Sequence, residues 1–189
     1  KKSGVEEVVT VVGYKKEQVQ RVLGDSVKYA YQEEMLGTGH AVMQAEEYLK
    51  DKQGKVVVLN GDVPILRPET IKKFIQKSIK NKEYATVLTA IYNNPTGYGR
   101  IVRDIGGNIT GIVEEKDATE EQKQIQEING GIYCFDIQEL LKALKKLEPN
   151  NAQSEYYLTD VVKIMNEEGL KTGAFIVEDN TEILGVNDK

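Results

Sequence analysis

The sequence predicts an α/β fold in which a mostly parallel sheet is covered by helices on both faces. Along the first half of the chain, short valine-rich runs alternate with longer stretches of helical periodicity. Such alternation is typical of β–α–β units with parallel strands and right-handed crossovers. The apolar run at 56–59 has no polar alternation, which is typical of a strand buried on both faces.

The elements are expected in a regular order. In the first half, strands are predicted at 8–12, 27–31, 56–59 and 85–91, and helices at 15–23, 41–49 and 68–80. In the second half, strands are predicted at 100–103, 109–114, 132–135 and 172–177, and helices at 136–147 and 155–166. The charged segment 116–123 is expected to be helical or exposed. Arg67-Pro68-Glu69 is a helix start signal, and Gly106-Gly107-Asn108 is a hairpin turn.

Composition restricts the class of protein. The 189 residues suffice for one well-packed domain. A net charge of −5 argues against nucleic acid as a partner. No apolar run approaches the roughly 18–20 residues of a membrane helix, and no leader segment suggests secretion. The single cysteine, Cys134, cannot form an internal disulfide, which fits a cytoplasmic location.

The turn Asn60-Gly61-Asp62 follows the apolar run at 56–59. Asp62 is therefore expected just beyond the carboxyl end of a central strand, where ligands bind in open α/β sheets. A carboxylate there suits Mg²⁺, which usually arrives with substrate phosphates. In the alternative interpretation, Asp62 only closes a turn or caps the next helix, and this stretch alone favours neither.

A glycine-rich loop, Leu36-Gly37-Thr38-Gly39-His40, separates a predicted strand from a predicted helix. Glycines allow the backbone to approach a phosphate or the edge of a base. Gln32 can both donate and accept, as the imide edge of a pyrimidine requires. The alternative is a simple tight turn, because the spacing matches neither a dinucleotide-binding fingerprint nor a P-loop.

Two residues with reactive side chains are expected to be structural. His40 is the only histidine and could act as a general base, but a structural role at the start of a helix is favoured. Cys134 lies in a strand-like run, which disfavours a catalytic thiol.

Polar residues at loop and strand ends of the second half suit a sugar, which needs a carboxylate, an amide and exposed backbone. They lie in Gly97-Tyr98-Gly99-Arg100, at Glu114 and in Asn129-Gly130-Gly131. The residues alone favour the alternative, in which 114–117 is a solvated run of charges. Near the C-terminus, Asn187 could supply a second oxygen ligand to a metal held by Asp62 if the fold brings the two together.

Seven motifs occur in the order and with the spacing of one family. They are Gln32-x-x-x-Leu36-Gly37-Thr38-Gly39-His40-Ala41, Asn60-Gly61-Asp62-Val63-Pro64, Gly97-Tyr98-Gly99-Arg100-Ile101, Val113-Glu114-Glu115-Lys116-Asp117-Ala118, Glu127-Ile128-Asn129-Gly130-Gly131, Glu155-Tyr156-Tyr157-Leu158-Thr159-Asp160 and Gly185-Val186-Asn187. Over essentially its whole length, the chain resembles the uridylyltransferase domain of the bacterial bifunctional N-acetylglucosamine-1-phosphate uridylyltransferase/glucosamine-1-phosphate acetyltransferases. Each motif is weak alone, but their common order is specific.

The resemblance implies a Rossmann-like (GT-A-like) nucleotidyltransferase domain over 1–189, with a small mixed β insertion. Residues 1–92 would mainly bind nucleotide and 93–189 sugar phosphate. The implied reaction joins UTP and N-acetylglucosamine 1-phosphate into UDP-N-acetylglucosamine and pyrophosphate, in the cytoplasm and for cell-envelope polysaccharides (peptidoglycan and lipopolysaccharide). The implied nucleotide-binding residues are Gln32, Gly37, Thr38, Asn60, Gly61 and Asp62. The implied catalytic and Mg²⁺-binding residues are Asp62 and Asn187, and the implied sugar-phosphate residues are Gly99, Glu114, Asn129 and Asn187.

Simple chemistry agrees with this reaction. An oxygen of the sugar phosphate attacks the α-phosphorus of UTP in line, and pyrophosphate leaves. Because the nucleophile is already an anion, no general base is needed, and His40 needs no chemical role. Catalysis then depends on positioning and on charge neutralisation.

Two family features have no match in this chain. The first is an initial strand with a glycine-rich loop that carries an arginine and a lysine and binds the triphosphate. We expect its absence to slow catalysis, since one such donor is worth about 10²–10³ in rate. The second is the acetyltransferase β-helix; full-length family proteins are homotrimers, whereas this piece is expected to be monomeric. The alternatives are a non-catalytic nucleotide-sugar-binding module and a sister enzyme that uses glucose 1-phosphate.

Overall fold

The computed structural model describes residues 4–63 and 65–185. Strands β1–β8 span Val9–Val12, Lys28–Tyr31, Lys55–Val58, Ala85–Ile91, Arg100–Arg103, Ile109–Val113, Glu127–Asp136 and Thr172–Ile176. Helices α1–α6 span Lys16–Leu23, Thr38–Met43, Glu46–Leu49, Pro68–Lys80, Ile137–Leu144 and Thr159–Glu167. Short 3₁₀ helices span Gly24–Ser26, Gln122–Gln124 and Asn180–Ile183.

The long strand β7 organises the main sheet. The sheet has the order β6-β5-β7-β4-β8, and β3 also pairs with β7. One edge of β7 pairs with β4 over its whole length, while the other edge is shared by β5 at its start and β3 at its end. β7 is antiparallel to all three, and β4 and β8 are parallel. β1 and β2 form a separate parallel pair.

The sheet is buried between two layers. One core lies between the sheet and helices α2, α5 and α6, and the other lies under α4. β4 supplies both cores, since Ala85 and Val87 face the first and Leu88 and Ala90 face the second. The predicted α/β class, with helices on both faces, is confirmed, and its sheet is mixed because β7 runs antiparallel between β3 and β4.

The prediction that the strand before Asp62 is central was wrong. Within the described residues, β3 pairs only with β7, and each of its four residues is half-buried. An apolar run indicates that the side chains of a strand are buried, but it does not indicate how many other strands pair with it. Asp62 therefore follows a strand at the rim of the main sheet.

Several local signals set the ends of elements. Pro68 opens α4, as predicted, because its missing N–H has no partner to lose at a helix start. Asp136 caps α5, since its carboxylate accepts from the backbone N–H groups of Gln138 and Glu139 at 3.1 and 3.2 Å. The helix predicted at 41–49 begins earlier, at Thr38, and is split into α2 and α3.

No helix in the described part of the chain combines the length and hydrophobicity that crossing a bilayer requires.

A buried carboxylate joins α4 to the sheet. Glu83 is 3% exposed and accepts from Lys77 Nζ at 2.7 and 2.9 Å, from Asn81 Nδ2 at 3.1 Å and from Thr86 Oγ1 at 2.7 Å. Gly173 of β8 packs directly on it, since a Cβ there would lie 2.3 Å from the Glu83 carboxyl carbon. The network therefore depends on the absence of a side chain in β8.

We predict that Gly173→Ala lowers the free energy of unfolding by about 2–3 kcal/mol, because the new methyl group must displace a buried, fully bonded carboxylate. Urea unfolding followed by circular dichroism measures this. Gly111→Ala is the matched control in β6, where the nearest atom to a new Cβ is 3.6 Å away. Equal effects of the two substitutions would contradict the prediction.

Candidate active site

Three predicted sugar-binding residues lie together. The Gly99 carbonyl accepts from the backbone N–H of Asn129 at 2.9 Å. A Cβ at Gly99 would lie 3.3 Å from Glu114 Oε2 and 3.4 Å from Asn129 Cβ. These residues come from three successive motifs, and the fold brings a carboxylate, an amide and a bare backbone segment to one place.

The strand order explains this meeting. Gly99 precedes β5 and Glu114 follows β6, and because β5 and β6 are antiparallel, Arg100 pairs with Val113. Arg100 also pairs with Ile128 of β7, next to Asn129. The start of β5, the end of β6 and the first third of β7 therefore share one end of the sheet.

The Glu114 carboxyl lies in a poorly solvated, acidic setting. Burial raises its pKa, and the charges of Asp117 and Asp160 raise it further, while the Thr159 hydroxyl partly opposes them. Burial also raises the pKa of Asp160, although Lys163 opposes this. Burial and the nearby carboxylates raise the pKa of Tyr157 to about 12. This end of the site is rich in acceptors, which suits the hydroxyl and amide donors of a sugar better than its phosphate.

The next residue, Glu115, has a different role. Its Oε2 lies 2.7 Å from Nη2 of Arg100, which is 1% exposed, and accepts from the backbone N–H of Gly97 at 3.3 Å. Glu115 therefore fixes the start of β5. The alternative in which 114–117 is only a solvated run of charges is wrong for its first two residues, whereas Lys116 and Asp117 are exposed.

The Asn60–Asp62 loop lies beside the same part of β7. Asn60 Nδ2 is 2.6 Å from the position that a Cβ of Gly131 would take, and Gly131 has a φ of +70°. Asp62 Oδ2 is 3.4 Å from the position of a Cβ at Gly185. The loop that carries Asp62 thus packs against β7 at Asn60 and against the first residue of the last family motif, Gly185, at Asp62. Asn187 lies outside the described residues.

The Asp62 loop suits a divalent cation that is held mainly by water and substrate phosphates. Among the described residues no cluster of three or more histidine, cysteine or acidic residues could hold a metal ion. Asp62 is exposed and offers one hard oxygen donor group. That donor set suits Mg²⁺, which keeps several waters and is bound by one or two carboxylates together with substrate phosphates.

The glycine-rich loop is closely packed. The Gly39 N–H donates to the Tyr156 carbonyl at 2.7 Å, and Thr38 Oγ1 accepts from the Leu158 N–H at 3.0 Å. A Cβ at Gly37 would lie 2.7 Å from the Tyr156 carbonyl oxygen. Both glycines are therefore needed for docking on 155–158, which also carries Tyr157 towards Glu114.

Gln32 and His40 stabilise this loop from within. Gln32 is 6% exposed, and its Nε2 donates to the Gly37 carbonyl at 3.1 Å and lies 3.1 Å from His40 Nδ1. The other ring nitrogen of His40 lies 3.2 Å from Gln44 Nε2. A histidine held between two amides supports the structural role expected for it. Burial raises the pKa of the Cys134 thiol, which supports the same conclusion there.

Sequence reasoning did not select four neighbours of Glu114 and Asn129. Tyr133 Oη accepts from Asn129 Nδ2 at 2.7 Å, while Tyr157, Thr159 and Asp160 lie near Glu114. The last three belong to a family motif that we interpreted as the start of a helix. The sequence thus contained this motif, but only the packing of the glycine-rich loop on the motif shows that its side chains lie near Glu114.

The chain is similar in sequence to known proteins over its whole length. A family model described as "Nucleotidyl transferase" matches residues 1–181. The bifunctional protein GlmU of Acetivibrio thermocellus is 55% identical over 189 residues, which are 100% of this chain and 41% of that protein. The GlmU proteins of Caldanaerobacter subterraneus subsp. tengcongensis and Clostridioides difficile are 51% and 50% identical, over 99% and 100% of the chain and 40% and 41% of their own lengths. The chain thus spans about 40% of the curated relatives it matches.

We predict that Glu114→Gln stabilises the protein at pH 7 but not at pH 4. Because the pKa of Glu114 is raised above its ordinary 4.5, the folded state binds more protons than the unfolded chain above that pH, and stability falls as the pH rises through this window. The variant escapes that loss, and its Tm at pH 7 should rise by about 2–4 °C, the shift that roughly 1 kcal/mol produces in a domain of this size. Thermal unfolding at both pH values, with exposed Glu121→Gln as control, tests this. A gain that is equal at both pH values would refute it.

Proposed function

This chain belongs to the nucleotidyl transferase family, and from that premise we propose that it transfers UMP from UTP to N-acetylglucosamine 1-phosphate. The products are UDP-N-acetylglucosamine and pyrophosphate. The observation that carries the proposal is the meeting of Gly99, Glu114 and Asn129 at the sheet end beside the Asp62 loop. We place the reaction in the cytoplasm, where it would supply cell-envelope polysaccharide synthesis.

Glu114 and Asn129 recognise the sugar in this proposal. Glu114 accepts hydroxyl or amide protons, since among the described residues only the Thr159 hydroxyl lowers its pKa. Asn129 is fixed at both ends, because its Nδ2 donates to Tyr133 and its Oδ1 accepts from the Gly131 N–H at 3.0 Å. Gly99 keeps the floor between them open, since any side chain there would meet both.

Gln32, Gly37 and Thr38 recognise the uracil. Gln32 Nε2 is used inside the loop, and within the described part of the chain no group donates to its Oε1. That oxygen is therefore available to accept the imide N–H of a pyrimidine. Gly37 and Thr38 contribute backbone groups at the same loop, and Asn60 and Gly61 line the neighbouring turn.

Asp62 and Asn187 would hold Mg²⁺, which when bound neutralises charge on the reacting phosphates. The chain itself orients the two substrates so that the sugar-phosphate oxygen faces the α-phosphorus of UTP. No protein group has to remove a proton from this anionic nucleophile, which agrees with His40 being held between two glutamines.

We predict that Mg²⁺ strengthens binding of UDP-N-acetylglucosamine and that Asp62→Ala removes this gain, with a loss of about tenfold or more in affinity for the metal-bound complex. Product binding requires neither UTP nor turnover, so calorimetry with and without Mg²⁺ tests the site by itself. Asp51→Ala, another exposed aspartate in a turn, is the control. Binding that is indifferent to Mg²⁺, or unchanged in Asp62→Ala, would count against the proposal.

We predict that the protein prefers UDP-N-acetylglucosamine to UDP-glucose by about tenfold or more, because the acetamido group adds a carbonyl and a methyl group that the hydroxyl of glucose cannot replace. Glu114→Gln should reduce affinity for both nucleotide sugars and leave UDP binding unchanged. Competition binding with the three ligands measures this, again with Glu121→Gln as control. A preference for UDP-glucose would instead favour the sister enzyme that uses glucose 1-phosphate.

A further inference from the structure

The segment that follows β8 is anchored on the carboxyl end of β4. The backbone N–H of Val177 donates to the Thr89 carbonyl at 2.8 Å. Asn180 Nδ2 donates to the Ile91 carbonyl at 2.8 Å, and Tyr92 Oη donates to the Asn180 carbonyl at 3.1 Å. Ile183 is 3% exposed and packs near Gly130. The segment is therefore fixed before it reaches Gly185 and Asp62.

Glu182 lies in this segment and is buried, with 3% exposure. Its Oε2 accepts from the backbone N–H of Arg67 at 3.0 Å. Arg67 is the residue before α4, and Pro68, which follows it, has no N–H to donate. A carboxylate at the N-terminus of this 13-residue helix is also favoured by the helix dipole.

The Arg67 side chain contributes less to the connection between these two segments than its backbone N–H does. Its Nη2 lies 2.5 Å from Asp179 Oδ2, but the side chain is 57% exposed. Its Nη1 lies 3.9 Å from Glu182 Oε1. Because exposed ion pairs contribute about 0–1 kcal/mol, the backbone hydrogen bond to Glu182 is the main tie between the two segments.

We propose that Glu182 is a positioning residue for the cation-binding loop, an inference that rests on the proposed function. Two ties lie on either side of Asp62 in the sequence: Asn60 packs on Gly131, and the backbone N–H of Arg67 donates to Glu182. Asp62 lies between these two ties, and Gly185, three residues after Glu182, returns against it. Glu182 thereby sets where the Asp62 carboxylate stands relative to the C-terminal segment.

This role differs from that of a helix cap that only stabilises. A cap would change only the free energy of unfolding. A positioning residue changes the affinity for the cation and leaves the metal-free affinity for the nucleotide sugar unchanged. The acceptor oxygen is the essential feature, so a glutamine should replace Glu182, and an aspartate, which is one methylene shorter, should not.

Mn²⁺ serves as the probe, and its binding to the full chain with saturating UDP-N-acetylglucosamine is followed by electron paramagnetic resonance. We expect Glu182→Asp to weaken Mn²⁺ binding about tenfold, as loss of a supporting contact does at metal sites. Glu182→Gln should remain within about threefold of the wild type, since it keeps the acceptor. Affinity for UDP-N-acetylglucosamine without metal should be unchanged in both. Glu178→Asp, whose side chain is 87% exposed in the same segment, is the control.

Three results would overturn the inference: wild-type Mn²⁺ affinity in Glu182→Asp, an equal loss in Glu182→Gln, or a parallel loss of metal-free nucleotide binding. Asp62→Ala separates this inference from the proposed function. If Asp62→Ala loses Mn²⁺ and Glu182→Asp does not, only the positioning role is wrong. If the wild type binds no Mn²⁺, or Asp62→Ala binds it normally, the cation site itself is refuted and the positioning role falls with it.

Discussion

The close packing around Gly130 and Gly131 is the constraint on which the candidate site depends. A Cβ at Gly130 would lie 2.7 Å from the Leu88 carbonyl oxygen, and Gly131 has a left-handed φ of +70°. The pairing of β7 with β4 shifts register at this point, between Leu88 and Thr89. Only glycine tolerates both conditions, so β7 can change direction here and pass from β5 to β3. Three segments then meet on three consecutive residues of β7, because Asn129 bonds to Gly99, Ile183 packs near Gly130, and Asn60 packs on Gly131.

Near this meeting point, the two arginines of β5 are used in structural ion pairs and are not available to bind a substrate phosphate. Arg100 pairs with Glu115, and Arg103 forms two bonds of 2.7 Å with Glu127, so these arginines fix β5 to its neighbours. A net charge of −5 gives no general attraction for a substrate that carries several phosphates. In the proposed function, phosphate charge must therefore be met by a cation or by local donors, and the acidic end around Glu114 suits the uncharged part of the sugar. For this reason we assign the phosphates to the end of the site near Asp62 and the sugar ring to the end near Glu114.

Elements with strong local signals could be predicted to the residue. The bounds of α4, β4 and β5 match the predicted ranges because Pro68 starts the helix and because β-branched runs mark the strands. Contacts between distant segments could not be predicted. The strand predicted at 132–135 begins earlier, at Glu127, and includes Gly130 and Gly131, because an irregular register accommodates the two glycines. In the site, the types of Gly99, Glu114 and Asn129 suggested sugar binding, but only the pairing of β5 with β6 and β7 brings them together. Tyr157 and Thr159 were missed for the same reason, since their burial depends on the glycine-rich loop.

Three acidic side chains of the described chain show how structural and ligand-binding carboxylates differ. Glu83 is surrounded by donors from Lys77, Asn81 and Thr86, so nothing further is needed to compensate its burial. Glu182 takes a backbone N–H at a helix start, where both the hydrogen bond and the dipole favour a negative charge. Glu114 instead is poorly solvated and lies near Asp117 and Asp160, so that burial and these charges raise its pKa, with only the Thr159 hydroxyl acting the other way. A fold gains nothing from such a group, since burying an uncompensated carboxylate costs stability. Its presence is explained if a ligand supplies the missing donors, which is why Glu114, and neither of the better satisfied carboxylates, is the residue we assign to the sugar.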